Sequence, residues 1–204
     1  MPVLHQMQMS GNCYKARLTA RQLGVPLRLK EYGLHDGSTR TPEFLRLNPN
    51  GKVPLLEFED GRMLAESGAI IFHLSEGSRL QPQSAWDRAQ MLQWMFFEQF
   101  SHEPYIAVAR FWLAYARPEE LEKKRHLVAE WHAKGNAALG VMEAHLKTHD
   151  WFAGNSYSIA DIALYGYTHA AGEGGFHLAG FPAVSAWISR VAAQPGHVAL
   201  DERW

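Results

Sequence analysis

The stretch Asn48-Pro49-Asn50-Gly51-Lys52-Val53-Pro54-Leu55-Leu56-Glu57-Phe58 decides the fold. Its first four residues are turn formers, and the run that follows Lys52 is largely apolar with a proline near its start. A proline cannot donate to a β-ladder, so it belongs at a strand start, an edge or a bulge. Glu59-Asp60-Gly61 then supplies a tight turn, and Arg62-Met63-Leu64-Ala65 a second extended run, which makes a hairpin. A cis Val53-Pro54 bond would turn the Val53 backbone outward, where its N–H and C=O could pair with an extended peptide as one more antiparallel strand. The plainer reading is an ordinary turn before an edge strand.

Working outward, Leu27-Arg28-Leu29-Lys30-Glu31-Tyr32 alternates with period two between Pro26 and Gly33 and reads as a strand. Between Ser10 and Gly24, Ala16, Ala20 and Leu23 recur at helical spacing, and Gly24 with Pro26 beyond closes the helix. A second helix runs from Ser67 to Leu74, with Ser67 as its N-cap. Strand, helix, strand, hairpin and helix make a small mixed α/β unit. Residues 78–85 are turn-rich without amphipathic period and read as a linker. Beyond them the chain reads helical: Trp86 to Phe100, then a long periodic segment from Glu119 to Leu146. A further helix opens at Ser158-Ile159-Ala160-Asp161, with Ser158 as N-cap and Asp161 at the capping-box position. The expected domains are therefore 1–77 and 86–204, joined by 78–85.

At 204 residues the length fits one large domain or two small ones. The chain is 47% hydrophobic and 20% charged, enough to bury a core and outside the disordered range. Twenty basic against 21 acidic residues leave a net charge of −1, without the excess that a phosphate backbone demands, so no nucleic-acid partner is expected. No membrane association is expected either. One cysteine excludes a disulfide framework, and Met1-Pro2-Val3-Leu4-His5-Gln6 shows no secretory pattern, so a cytoplasmic location is expected. All seven tryptophans lie beyond residue 85. His145 and His149 share a helix face, but no third ligand is evident and no metal centre is expected.

Ser10-Gly11-Asn12-Cys13-Tyr14-Lys15 falls where a first strand would end and a helix begin. Unsatisfied N–H groups and the positive dipole end meet there and favour an anion such as a thiolate. As a plain alternative, Ser10 is only an N-cap. Glu66-Ser67 opens another helix, whose N–H groups could receive a carboxylate while Glu66 faces an ammonium.

Taken in order, these motifs resemble the cytosolic glutathione transferase superfamily along essentially the whole chain. The resemblance is greatest to bacterial members with a Ser-Gly-Asn-x-Tyr-Lys start. It implies a thioredoxin-like βαβαββα N-terminal domain followed by an all-helical C-terminal domain. It further implies a homodimer, glutathione as co-substrate, and a hydrophobic electrophile or peroxide as second substrate. Where thioredoxin-like redox proteins carry Cys-x-x-Cys, this chain has Ser10 and Cys13, so dithiol exchange is not available. Ser10 would donate to the glutathione sulfur, with Asn12 near it. Val53 would pair with the cysteinyl backbone, Lys52 would reach the glycyl carboxylate, and Glu66 with Ser67 would hold the γ-glutamyl end. The match near Thr39-Arg40 is poor. Cys13 is expected to be buried against the sheet. Phe111, Trp112 and Tyr115 are the candidates for the electrophile pocket. His102 and Arg110 either contribute polar contacts there or pair with Glu103 and Glu98. Terminal Trp204 could fold back over the pocket. Conjugation is the leading activity; a glutathione-dependent peroxidase or disulfide-bond reductase and a non-catalytic glutathione-binding protein are the alternatives.

Overall fold

A computed structural model describes residues 1–203; Trp204, and with it the expected fold-back, lies outside the described residues. The chain divides into two compact units, residues 1–78 with the returning segment from Pro195, and residues 79–194.

In the first unit, β1 (Val3–Gln6), β2 (Arg28–Glu31), β3 (Leu55–Glu57) and β4 (Met63–Ala65) form one sheet in the order β2-β1-β3-β4. β1 and β2 are parallel and are linked through helix α1 (Gly11–Leu23), as a parallel pair requires. β3 runs antiparallel to both β1 and β4, which gives the expected hairpin. Every residue of β1 is buried, as a central strand covered on both faces must be. Leu4 and Leu56 pack with Ala16, Ala20 and Ile70, so α1 and helix α3 (Ser67–Leu74) cover one face. Leu55, one residue out of phase, points to the other face and packs with Tyr32 and with Phe44 of helix α2 (Pro42–Leu47). Helix α1 ends at Gly24 in the left-handed conformation, the stop that its sequence called for.

The second unit contains helices α4 (Ala85–Phe97), α5 (Glu103–Arg110), α6 (Pro118–Lys124), α7 (Val128–Leu146), α8 (Ile159–Thr168) and α9 (Pro182–Ala192). No described helix is long and apolar enough to cross a membrane. The whole architecture, a mixed sheet with helices followed by a helical unit, is the one that the motifs implied.

Three sequence expectations need refinement. The expected helix 119–146 is interrupted by a 3-10 turn at Arg125–Leu127. The reason is burial: α6 buries nothing, whereas α7 buries Trp131, Gly135, Ala138, Leu139, Met142 and Leu146 along one stripe. The expected linker is not loose. Leu80 is fully buried, and its carbonyl accepts the Ile159 N–H at 3.0 Å, which ties residue 80 into the helical unit. Finally, residues 195–203 pack with the first unit and not with the helices of the expected 86–204 domain.

Every residue of α8 is buried, and its start is stapled by the expected capping box. Asp161 is fully buried and accepts from the Ser158 N–H at 2.9 Å, the Phe152 N–H at 3.3 Å and the Trp187 indole N–H at 2.9 Å. Burial pushes its carboxyl up to about 6, while the Trp187, Ser158 and Phe152 donors pull in the opposite direction. The capping motif thus holds α8, α9 and the 152 loop together. An Asp161→Ala substitution takes the acceptor from three buried N–H donors and from the Ser158 hydroxyl, each stranded donor costing about 1–3 kcal/mol. We expect a loss of about 3–5 kcal/mol in chemical unfolding followed by tryptophan fluorescence, and a smaller loss for Trp187→Phe.

Candidate active site

The hairpin register explains why distant motifs meet. Leu55 pairs with His5 on one side and Ala65 on the other. Continued one or two residues, the same ladders set Val53 beside the exit of β1 and beside Glu66-Ser67. The Ser10 loop, the Val53 segment and the start of α3 therefore gather at one end of the sheet, where ligands of open α/β sheets bind.

Ser10 is the N-cap of α1, and its hydroxyl oxygen accepts the Cys13 N–H at 3.3 Å. An oxygen that accepts there keeps its own proton to donate. Cys13 is fully buried, as expected, with its sulfur accepting the Met7 N–H at 3.4 Å. Burial pushes its thiol up to about 11, against the pull of the Met7 and Ser10 hydrogen bonds. Asn12 does something its sequence position did not reveal. Its side-chain oxygen accepts from Lys15 Nζ at 2.8 Å and from Ser67 Oγ at 3.1 Å, and so joins α1 to the first turn of α3. Lys15 is buried, a placement without an apolar or charge pattern to announce it.

At α3 the cap position is Glu66, not Ser67, and no side chain caps the helix. The Ser67 hydroxyl is turned to Asn12 instead, which leaves the first N–H groups of α3 without a side-chain cap. Glu66 sits at φ 67, a strained conformation for a residue with a side chain, of the kind concentrated at functional sites. Between these elements the 48–54 turn is self-supporting. Asn48 Nδ2 donates to the Lys52 carbonyl at 2.8 Å, and Asn48 Oδ1 accepts the Asn50 N–H at 3.1 Å. Gly51 has φ 63 and lies against Arg40, whose Nη1 donates to the Asn50 carbonyl at 3.1 Å; a Cβ at Gly51 would lie 2.4 Å from that nitrogen. Arg40, which carries no matching motif in the sequence, is thus a buttress of the turn. The Val53-Pro54 bond is cis, Val53 is half-buried and the Lys52 side chain is exposed.

In the helical unit, Phe111, Trp112 and Tyr115 fall on a π-helical turn, Phe111–Tyr115, that continues α5. Phe111 is partly exposed, Trp112 stacks on Trp131 at 6.4 Å, and the Tyr115 hydroxyl donates to Glu173 at 2.6 Å. Arg110 is buried and bonds both Glu173, at 3.1 Å, and Tyr115, at 2.8 Å. Glu173 lies 58 residues from Tyr115, so no local pattern pointed to it. His102 is buried against Thr168 at 2.8 Å. His145 and His149 stack at 4.2 Å, and both also reach backbone carbonyls, of Trp151 and His145 respectively.

Residues 9–76 match the model of the glutathione S-transferase N-terminal domain and residues 96–195 that of the C-terminal domain. The chain belongs to the glutathione S-transferase family. It is 49% identical to a possible glutathione S-transferase from Rhodopseudomonas palustris of known structure, with a TM-score of 0.96 over 100% of this chain and 91% of that one. It is 31% identical to glutathione S-transferase D7 of Anopheles gambiae over 193 residues, which cover 93% of this chain and 85% of that one. It is also 29% identical to the disulfide-bond oxidoreductase YfcG of Escherichia coli, covering 90% and 87%.

This transferase-family chain has a single thiol of its own, and a buried thiol pushed up to about 11 is protonated at pH 8. Iodoacetamide at pH 8 should therefore leave Cys13 unmodified in the native protein and alkylate it fully in denaturant, as read by intact mass. Native labelling at the denatured rate would contradict the buried placement.

Proposed function

We propose that the protein is a glutathione S-transferase of the serine/asparagine type, which binds glutathione through residues 1–77 and an apolar electrophile through residues 86–204. The observation that carries this reading is the convergence of Ser10, Val53 and Glu66-Ser67 on one end of the sheet. Val53 pairs with the cysteinyl backbone, the open first turn of α3 and Glu66 receive the γ-glutamyl amino-acid group, and Lys52 reaches the glycyl carboxylate. The sulfur then lies at the N-terminus of α1, facing the Ser10 hydroxyl.

Lowering a thiol from about 8.5 to about 6.5 needs roughly 2.7 kcal/mol. A hydrogen bond to a charged acceptor contributes about 1.5–3 kcal/mol, and the helix dipole adds a further fraction. The two together suffice. Burial of Cys13 helps in a second way: a neutral thiol is a weak acceptor, so the Ser10 proton goes to the glutathione thiolate when one is bound. Asn12 holds the Ser10 turn and the α3 turn in one geometry. On the second-substrate side, Phe111 and Trp112 supply apolar surface, and Arg110 with Glu173 fixes Tyr115. Trp86, Phe96 and Phe100 are all more than half exposed and support a homodimer, whose partner would cover them. We assign the enzyme to the cytoplasm on the same reading.

The relationship to a disulfide-bond oxidoreductase supports a second reading, in which two glutathione molecules are oxidised to the disulfide as a substrate disulfide is reduced. Both readings need the Ser10-bound thiolate. A Ser10→Ala variant should lose about 10- to 100-fold in turnover while still binding glutathione by calorimetry. Assays with 1-chloro-2,4-dinitrobenzene, cumene hydroperoxide and hydroxyethyl disulfide divide conjugation from peroxidase and reductase activity. Failure of the wild type to bind glutathione would sink both.

A further inference from the structure

Arg17 is fully buried on α1, yet its hydrogen-bond partners among the described residues are an amide oxygen and two backbone carbonyls rather than a carboxylate. Its guanidinium points back along the helix. Nη1 donates to the Gln6 side-chain oxygen, and Nη2 donates to the backbone carbonyls of Gln8 and Leu200, both at 2.8 Å. Its Nε–H has no partner among the described residues. A buried cation with an unsatisfied donor is a costly choice for holding a helix to a loop, since apolar residues of similar volume do so at less cost.

What those bonds hold is the approach to Ser10. The Gln8 N–H is fastened to Glu31 at 2.6 Å, and the Gln8 side chain donates to the carbonyls of Leu200 at 2.8 Å and Glu202 at 2.9 Å. The Tyr14 hydroxyl donates to the Val198 carbonyl at 2.6 Å. Residues 195–203 thus lie as a strap along α1 and the β1–α1 loop, and Leu200 accepts from both Arg17 and Gln8. Only Met9 separates Gln8 of this clamp from Ser10, whose N–H is itself bonded to the Met7 carbonyl at 3.1 Å.

We propose that Arg17 is a positioning residue for the thiol site. Together with Gln8 and the strap carbonyl of Leu200, it fixes the 6–10 loop so that the Ser10 hydroxyl stays aimed at the sulfur. This rests on the Ser10 role proposed above. A hydroxyl that accepts from Cys13 has one rotatable proton, and a loop shift of a fraction of an ångström turns that proton away. The ionisable groups around the clamp include Cys13, Tyr14 and Arg21 on α1, Glu31 on β2, and His197 and Glu202 on the strap.

The test is a double-mutant cycle on the full chain, using Arg17→Lys, Gln8→Ala and Ser10→Ala. Two readouts serve: the pH profile of kcat/KM with 1-chloro-2,4-dinitrobenzene, and the ultraviolet thiolate absorbance of bound glutathione. Arg17→Lys keeps the charge but loses the fork. It should raise the apparent thiol pKa by about one unit, which is roughly a tenfold loss below the wild-type value, with KM for glutathione little changed. In the Ser10→Ala background the same change should have no further effect, because its route is gone. Gln8→Ala should give the same direction, and it decides the matter if Arg17→Lys does not fold. The proposal falls if the variant lowers thermal stability while the pH profile stays at wild type, or if its penalty adds in full to that of Ser10→Ala. A Ser10→Ala enzyme with an unshifted profile would instead remove the Ser10 reading itself, whatever Arg17 does.

Discussion

Strand β1 is buried along its whole length and hydrogen-bonds on both edges, parallel to β2 and antiparallel to β3. Those two pairings bring together the three segments of the candidate site. The parallel partner demands a crossover, so β1 must lead into a helix, and the start of that helix carries Ser10. The antiparallel partner brings Pro54 and Val53 beside the same exit. β4, paired to β3, delivers Glu66-Ser67 to the same end. A one-residue slip of β3 would move Leu55 and Leu56 to the wrong faces of the sheet and take the site with them.

Around that frame the polar groups of the Ser10–Cys13 segment are held by hydrogen bonds. Cys13, one turn into α1, is buried and held neutral, and its N–H goes to the Ser10 oxygen. Asn12 points the other way and accepts from both Lys15 and Ser67. Ser10, Asn12 and Cys13 therefore have distinct tasks: capping, bridging and filling the core. Glu66 at its positive φ and a start of α3 without a side-chain cap put the positive end of that helix at the same end of the sheet.

Much of this was legible because local signals were strong and agreed. Pro54, the Asp-Gly turn, Gly24 beyond α1 and the Ser158–Asp161 box each specify a backbone event within a few residues, and each is present in the fold. Where local signals were ambiguous, burial decided. Ser67 has the chemistry of a cap but gives its hydroxyl to Asn12, and the continuous helical pattern from 119 breaks where its apolar stripe ends. Glu173, which orders Tyr115 and Arg110, had no local mark at all.

The sequence by itself determined the element order and the turns and caps that punctuate it, because these depend on interactions within a turn or two of chain. Only the tertiary structure decided that the last residues return to the first unit, that Arg17 and Gln8 grip them, that Asn12 links two helices, and that Arg40 supports Gly51. Those contacts join positions 10 to nearly 200 residues apart and run largely through backbone carbonyls. Every residue carries such a carbonyl, so composition and spacing hold no trace of which one a buried arginine will choose.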